Sequence, residues 1–323
     1  MKLVNFYATD GIHTGLVRPD GVEDLATSGV WQGPAPVAQD DMKQLALRVR
    51  QSATAVNALL PLKSLRFAPS VASPEKLICI GLNYRRHAEE ARMPIPTVPV
   101  VFGKFANSLN AHRENIPLPS VDYQYDYEAE LAVVIGREAR DVTESEALRY
   151  VGGYCCANDL TARGAQLATS QWVAGKMLDG FLPLGPFLVT ADDIPDPQHL
   201  SISCWVNGER KQHSSTADMI FSVASIIAFL SRHATLKPGD VIATGTPEGV
   251  LLGQNAPQWL KAGDEVSVEI EGLGRLTNRL IAPPVGLRQV ANAMAIEFRS
   301  GRLLTSPSVS QIRVSNQQPL ASL

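Results

Sequence analysis

Two glutamates two residues apart lead into a run with no other charged side chain: Tyr127-Glu128-Ala129-Glu130-Leu131-Ala132-Val133-Val134-Ile135-Gly136. A near-continuous Leu/Ala/Val/Ile run ending in glycine is the pattern of a strand covered on both faces. Side chains at i and i+2 share a face, so both carboxylates point to one side of a largely buried element. Like charges there repel and lose hydration, unless a cation neutralises them or their pKa values rise. The next apolar run, Tyr150 to Asp159, ends in a third carboxylate that can reach the same place. Three carboxylates with room for water suit a hard divalent ion such as Mg2+ or Mn2+. Glu128, Glu130 and Asp159 are therefore the expected metal ligands of a metal-dependent enzyme. The competing reading is salt bridging to Arg137, Arg140 or Arg163, with Asp159 as a simple strand-end cap.

Size and charge narrow the alternatives. A chain of 323 residues with 45% apolar side chains can bury a sizeable core, either as one large domain with appendages or as two domains. Net charge is −3 and no dense Lys/Arg run occurs, so neither nucleic acid nor an anionic membrane is the expected partner. No apolar stretch reaches the ~18 residues that suggest a membrane span. The four cysteines, Cys79, Cys155, Cys156 and Cys204, form no C-x-x-C pair, and the vicinal two are expected on opposite strand faces. Met1 to Phe6 reads as a strand and Asp10 comes early for a transit peptide. A cytoplasmic location is expected, with the mitochondrial matrix kept open.

Three segments are expected. Residues 1–70 read as a small N-terminal α+β unit, with Leu3–Tyr7 and Thr14–Val17 pairing around Asp10-Gly11 and a helix over Asp40–Leu60. Residues 74–284 alternate short β-type runs with Gly/Pro turns: Leu77–Ile80, Val98–Phe102, Leu131–Ile135, Leu200–Val206, Val241–Ala243 and Val266–Ile270. Asn207-Gly208 marks a hairpin, and Ser222–Ser231 carries one amphipathic helix. Without a G-x-G-x-x-G or a P-loop, the expected class is α+β, mainly β. Residues 285–323 are expected to hold a helix over Leu287–Phe298 and then a Ser/Gln/Asn-rich tail.

Further chemistry-bearing residues cluster in short motifs. After the Leu77–Ile80 strand, His87 and Glu90 lie i, i+3 on one face if Asn83 to Glu90 is helical. A carboxylate on one imidazole nitrogen orients the ring and raises its basicity, leaving the other nitrogen to take a proton from water. A solvated helix with an incidental pair is the plainer reading. Pro94, Pro96 and Pro99 would end that helix and can frame a lid. Lys176 sits in an apolar setting, as an oxyanion stabiliser or as a snorkelling surface lysine. Thr244-Gly245-Thr246-Pro247-Glu248-Gly249 either cradles a substrate carboxylate through its amides and the Thr246 hydroxyl or is an ordinary turn. Gln166 follows Arg163 by three residues, on the same face of a helical turn. Lys237-Pro238-Gly239-Asp240 and Lys261-Ala262-Gly263-Asp264 repeat a structural turn, while His13, His112, His199, His213 and His233 are expected at surfaces or turns.

Together these segments resemble the fumarylacetoacetate hydrolase family. The resemblance runs through Gly81-Leu82-Asn83-Tyr84 with His87 and Glu90, the Tyr127–Gly136 run, Asn158-Asp159-Leu160-Thr161-Ala162-Arg163 and Gly175-Lys176. It continues through Pro183-Leu184-Gly185-Pro186, Val206-Asn207-Gly208-Glu209 and Pro238 to Pro247, in order, over about residues 74–282. It implies a β-roll catalytic fold, a homodimer, and Mg2+ or Mn2+ on Glu128, Glu130 and Asp159. It also implies a water-activating His87/Glu90 dyad on a lid, an oxyanion-polarising Lys176, and substrate contacts from Arg163, Gln166 and Thr246. The implied substrates are small 2-oxo acids. The first expectation is C–C hydrolysis of 2,4-dioxo acids of the acylpyruvate or fumarylpyruvate type, releasing pyruvate and a carboxylic acid. The alternatives are an oxaloacetate decarboxylase or tautomerase, and an isomerase or lyase of a related 2-oxo or ureido acid. Three departures stand out: Gly164 where relatives carry an acid, no basic residue in Leu167-Ala168-Thr169-Ser170, and Asn110-Ala111-His112-Arg113 in place of a glycine turn. They suggest an acyl pocket of low positive charge.

Overall fold

Leu131, Ala132, Val133, Val134 and Ile135 are buried on both faces because the strand they form lies deep inside a wide sheet. The computed structural model describes residues 1–52 and 59–283. Its strands in chain order are β1 (Lys2–Ala8), β2 (Gly11–Arg18), β3 (Gly21–Asp24), β4 (Leu77–Gly81), β5 (Val100–Lys104), β6 (Leu109–Asn110), β7 (Ile116–Pro117), β8 (Tyr125–Asp126) and β9 (Ala129–Ile135). They continue as β10 (Val151–Asn158), β11 (Thr161–Ala162), β12 (Leu182–Thr190), β13 (Ser201–Val206), β14 (Glu209–Ser215), β15 (Val241–Ala243), β16 (Glu265–Ile270) and β17 (Gly274–Ile281). The α-helices are α1 (Gln39–Gln51), α2 (Arg85–Glu90), α3 (Glu144–Ala147), α4 (Arg163–Leu167), α5 (Val173–Lys176) and α6 (Val223–His233).

A ten-stranded sheet runs β3-β2-β1-β12-β10-β9-β15-β4-β5, with β6 added to β12. A five-stranded sheet runs β14-β13-β16-β17-β7, and β8 pairs with β11. β9 is antiparallel to both β10 and β15, while β15 and β4 are parallel. The alternation of β9 then sorts its side chains. Leu131, Val133 and Ile135 join the larger core with Ile202, Cys204, Val268 and the α6 residues Ile226 and Ile227. Ala132 and Val134 join a second core with Leu25, Met42 and Leu45. Each such buried aliphatic side chain contributes about 1.5–3 kcal/mol, so the strand bearing the carboxylates is anchored from both faces. The five-stranded sheet closes over the first core.

Local sequence explains most boundaries. Ser222 caps α6 by accepting from the Ser225 N–H at 3.1 Å. Asn207 and Gly208 have φ of 51° and 83°, the left-handed pair a tight hairpin needs. The two Lys-x-Gly-Asp turns are built alike: Asp240 accepts from the Lys237 N–H at 2.7 Å, and Asp264 from the Lys261 N–H at 2.8 Å. Cys155 and Cys156 fall in opposite cores, and all four cysteines are free and buried.

The expected helix over Asp40–Leu60 is shorter than predicted. α1 ends at Gln51, and Leu60 is already extended, exchanging backbone hydrogen bonds with Val22 at 2.8 Å in each direction. Pro61 accounts for the extended Leu60, since the residue before a proline is pushed out of helical geometry. The N-terminal strands extend the main sheet, as β1 pairs with β12 through Lys2–Val189 and Leu3–Leu188. The expected helix over Leu287–Phe298 and the tail after it lie outside the described residues. Among the described residues, no helix is long and apolar enough to cross a membrane.

Candidate active site

The β9–β10 register assembles the carboxylates. Asn158 faces Ala129, and the Asp159 N–H donates to the Glu128 carbonyl at 2.9 Å, so Asp159 leaves β10 beside Glu128. The Asn158 side chain accepts from the Glu128 N–H at 3.0 Å and locks that corner. Glu128, Glu130 and Asp159 each offer a carboxylate oxygen, and these oxygens all lie within 4.8 Å of one another. All three would offer hard carboxylate oxygens to a divalent cation such as Mg2+ or Mn2+.

Cations interleave with the acids. Lys176, at the end of α5, donates to Glu128 Oε2 at 2.7 Å and Asp159 Oδ2 at 2.8 Å. Its side chain is 1% exposed, which excludes the snorkelling reading. Lys104, at the end of β5, donates to Asp159 Oδ1 at 2.6 Å and the Leu160 carbonyl at 3.2 Å. Arg163 donates to Asp126 through Nε at 2.9 Å and contacts Glu128 through Nη1 at 2.8 Å, while Nη1 also donates to the Gln166 side-chain oxygen Oε1 at 3.0 Å. The salt-bridge alternative is thus realised for Arg163, within the carboxylate cluster. Arg137 and Arg140 lie elsewhere, the first over the Tyr150 ring and the second paired with Asp141.

Burial and charge set the protonation states. Desolvation, then repulsion from Asp159 and Glu128, holds the Glu130 carboxyl well above the usual range, and Lys176 and the Gly245 N–H only partly oppose this. Burial pushes Asp159 upward too, but Lys104 and Lys176 outweigh it and its pKa falls. Desolvation likewise lowers Lys176 and Arg163, and their carboxylate partners more than reverse it. By formal charge, Asp126, Glu128, Glu130 and Asp159 outnumber Lys104, Arg163 and Lys176 by one. A divalent cation held here would turn that into one net positive charge, which an anionic substrate offsets. The donor set, all hard oxygen, fits Mg2+ or Mn2+.

A cavity of about 90 Å³ opens on this cluster, lined by Glu128, Glu130, Arg163, Gln166, Lys176, Thr246 and His87. Its remaining wall is apolar, including Met93, Phe102, Leu167, Trp172 and Leu252. His87 and Glu90 do lie on one helix, α2, with His87 Nδ1 3.4 Å from Glu90 Oε2. Glu90 also accepts from the Gly249 N–H at 3.1 Å, which ties α2 to the loop after β15. In that loop the Gly245 N–H donates to Glu130 at 2.8 Å, and φ of 96° at Gly245 brings its backbone against Asn83. All nine residues expected from the sequence therefore meet at one place, but Arg163 is largely committed to Asp126 and Glu128.

Two histidine expectations change. His112 is buried with its Nδ1 accepting from the Thr277 N–H at 2.9 Å, and burial lowers its pKa to about 4. His13 lies between Asp24 and Asp10, at 3.0 and 2.9 Å. The glycine at 164 also has a reason. A Cβ there would meet the Asp122 carboxylate at 2.8 Å, and Asp122 accepts from the Ala165 N–H at 2.8 Å at the start of α4. An acid at 164 would collide with and repel the one already present.

Sequence reasoning missed Asp126, Lys104 and Gln212. Asp126 precedes Glu128 by two residues, a third acid in the same short stretch, but it ends β8 rather than joining the strand that carries Glu130. Lys104 ends the apolar run Val100-Val101-Phe102-Gly103, as Lys176 follows one. Gln212 carried no signal, because it reaches the site from the second sheet.

A family model described as fumarylacetoacetate (FAA) hydrolase C-terminal matches residues 76–281. Oxaloacetate tautomerase Fahd2a, mitochondrial, of Rattus norvegicus is 40% identical over 287 residues, covering 87% of this chain and 92% of its own. Maleylpyruvate hydrolase of Sphingobium sp. SYK-6, solved with manganese(II) and pyruvate, is 29% identical with a TM-score of 0.73, covering 88% of this chain and all (100%) of that one. The 5-carboxymethyl-2-hydroxymuconate delta-isomerase of Mycobacterium smegmatis is 31% identical with a TM-score of 0.69, at coverages of 88% and 100%.

Proposed function

We propose, from the premise that this chain belongs to the fumarylacetoacetate hydrolase family, that it is a divalent-metal-dependent enzyme interconverting the enol and keto forms of a small 2-oxo acid of the oxaloacetate type. The observation that carries the reading is the buried cluster of Glu128, Glu130, Asp159 and Lys176 facing His87 across one cavity. The 40% identity to a tautomerase over 87% of the chain supports this reaction over its rivals.

Glu128, Glu130 and Asp159 would hold Mg2+ or Mn2+, which when bound supplies Lewis-acid polarisation of the 2-oxo group. His87 takes the proton from C3 of the keto acid, or returns it there in the reverse direction, with Glu90 aligning the ring. The electron pair left at C3 moves onto the 2-oxo oxygen, where the Lys176 ammonium offers its N–H to the growing negative charge; that oxygen then takes up a proton from water to give the enol, and His87 returns its own proton to water. Thr246 and the Gln166 amide bind the carboxylate end, and Arg163 supports them from behind through Glu128. The apolar wall of Phe102, Trp172 and Leu252 excludes water from the exposed carbon.

Hydrolysis of a 2,4-dioxo acid is the second reading, favoured by the His87–Glu90 pair itself, since a tautomerase needs no activated water. There His87 would take a proton from water, the oxygen would add to C4, and the C3–C4 bond would break. The carboxylic acid leaves, and the three-carbon fragment takes up a proton to become pyruvate.

The test is to strip the protein with EDTA and follow enol-oxaloacetate and acetylpyruvate with and without Mn2+. Metal-dependent loss of enol absorbance from oxaloacetate, with no CO2, supports the tautomerase. Pyruvate plus acetate from acetylpyruvate would move the assignment to the hydrolase, and CO2 release to a decarboxylase. A homodimer and a compartment, cytoplasm or mitochondrial matrix, complete the proposal. Light scattering and cell fractionation check them.

A further inference from the structure

We infer that Gln212 is a positioning residue that makes the Thr246 hydroxyl an obligate hydrogen-bond donor toward the substrate carboxylate, an inference that rests on the 2-oxo-acid reading above. Gln212 lies on β14 of the second sheet and is 2% exposed. Its Oε1 accepts from the Ala129 N–H at 3.0 Å, and its Nε2 donates to the Pro247 carbonyl at 2.9 Å. A backbone amide can only donate and a carbonyl can only accept, so these two partners fix which end of the side-chain amide is which. The same Nε2 lies 2.9 Å from Thr246 Oγ1 and must donate to it.

A hydroxyl has one proton. With Gln212 filling a lone pair of Oγ1, that proton is left to point elsewhere, and among the described residues no acceptor for it is recorded. Thr246 is 4% exposed and lines the cavity beside Glu130 and Lys176. Its neighbour makes the contrast: the Thr244 hydroxyl donates to the Leu131 carbonyl at 2.8 Å and is used up in the fold. One threonine of the loop therefore holds the loop, and the other presents an O–H to an anion. Because Ala129 lies between the two glutamates, the Gln212 amide also sets the spacing between that donor and the carboxylate cluster.

The test uses the full chain loaded with Mn2+, titrated with oxalate by calorimetry, together with kcat and KM on enol-oxaloacetate. A hydrogen bond to a charged group is worth about tenfold or more in affinity. T246V should weaken oxalate about tenfold, T246S should restore it, and Q212M should weaken it comparably, with the rise in KM exceeding any fall in kcat. In the Q212M/T246V double variant the loss should be no larger than in T246V alone, because both changes remove one contact. If Q212M does not fold, Q212E supplies the cycle, since its carboxylate draws the Thr246 proton to itself. A double variant whose loss is the product of the singles, or wild-type protein that binds no oxalate, overturns the inference. Non-additive oxalate binding in a protein that turns over no 2-oxo acid would keep the inference and overturn the proposed reaction.

Discussion

Replacing Asp126 by Asn exchanges one carboxylate oxygen for an NH2 group and should destabilise the protein by about 4 kcal/mol. Asp126 is fully buried, and both of its oxygens are surrounded by donors. Oδ1 accepts from the N–H of Tyr127 and of Leu251, each at 2.9 Å. Oδ2 accepts from the Leu252 N–H at 3.0 Å and Arg163 Nε at 2.9 Å. Whichever way an Asn amide turns, its NH2 faces two donors and leaves both unpaired, at about 1–3 kcal/mol each. Arg163 also loses one of its two buried counter-charges, and breaking such a pair by removing one partner costs about 3–5 kcal/mol. The terms overlap, so their plain sum would overcount. Urea unfolding of the two proteins, compared at equal m, measures the difference. The same change frees Leu251 and Leu252 beside Gly249, the anchor of Glu90, so turnover should fall together with stability. A loss below about 1 kcal/mol, the level of an ordinary exposed contact, would refute the view that Asp126 holds Arg163 and this loop in place.

Three other outcomes follow from the geometry. Glu90→Gln should lower kcat by about 10²–10⁴ while Mn2+ affinity, measured by calorimetry, is kept; unchanged turnover would remove the dyad from the mechanism. Gly81→Ala places a Cβ 2.3 Å from the Trp172 ring, so it should push the indole into the cavity, cost about 1–3 kcal/mol and shift tryptophan fluorescence. For His13, burial pulls the pKa down, and the pairs with Asp24 and Asp10 more than restore it, leaving it raised above 6.5. A raised histidine contributes its stability fully below the unfolded pKa and loses it as pH rises through the folded one. Wild-type stability relative to His13→Asn should therefore shrink as pH climbs from about 6 through that folded value, read from urea midpoints at several pH values.

The carboxylate triad was legible because its signal is local. An i, i+2 pair of glutamates in an apolar strand is a contradiction that chemistry must resolve, and the next apolar run supplied Asp159. The i, i+3 spacing of His87 and Glu90 was legible for the same reason, since a helix brings such residues together whatever surrounds it. The mainly β class followed from short apolar runs punctuated by turns. The sequence alone therefore determined which side chains could do chemistry, and on which kind of element. Only the tertiary structure decided what each is used for. Arg163 turns toward Asp126 and Glu128, the second cation on Asp159 arrives on β5, and the amide that orients Thr246 arrives on β14 of the other sheet. Leu60 left the predicted helix for a pairing with Val22 that no helical periodicity contains. The physical reason is range: periodicity and spacing report contacts within one element, whereas charge balance and hydrogen-bond polarity in a dry site depend on groups brought together only when distant elements pack.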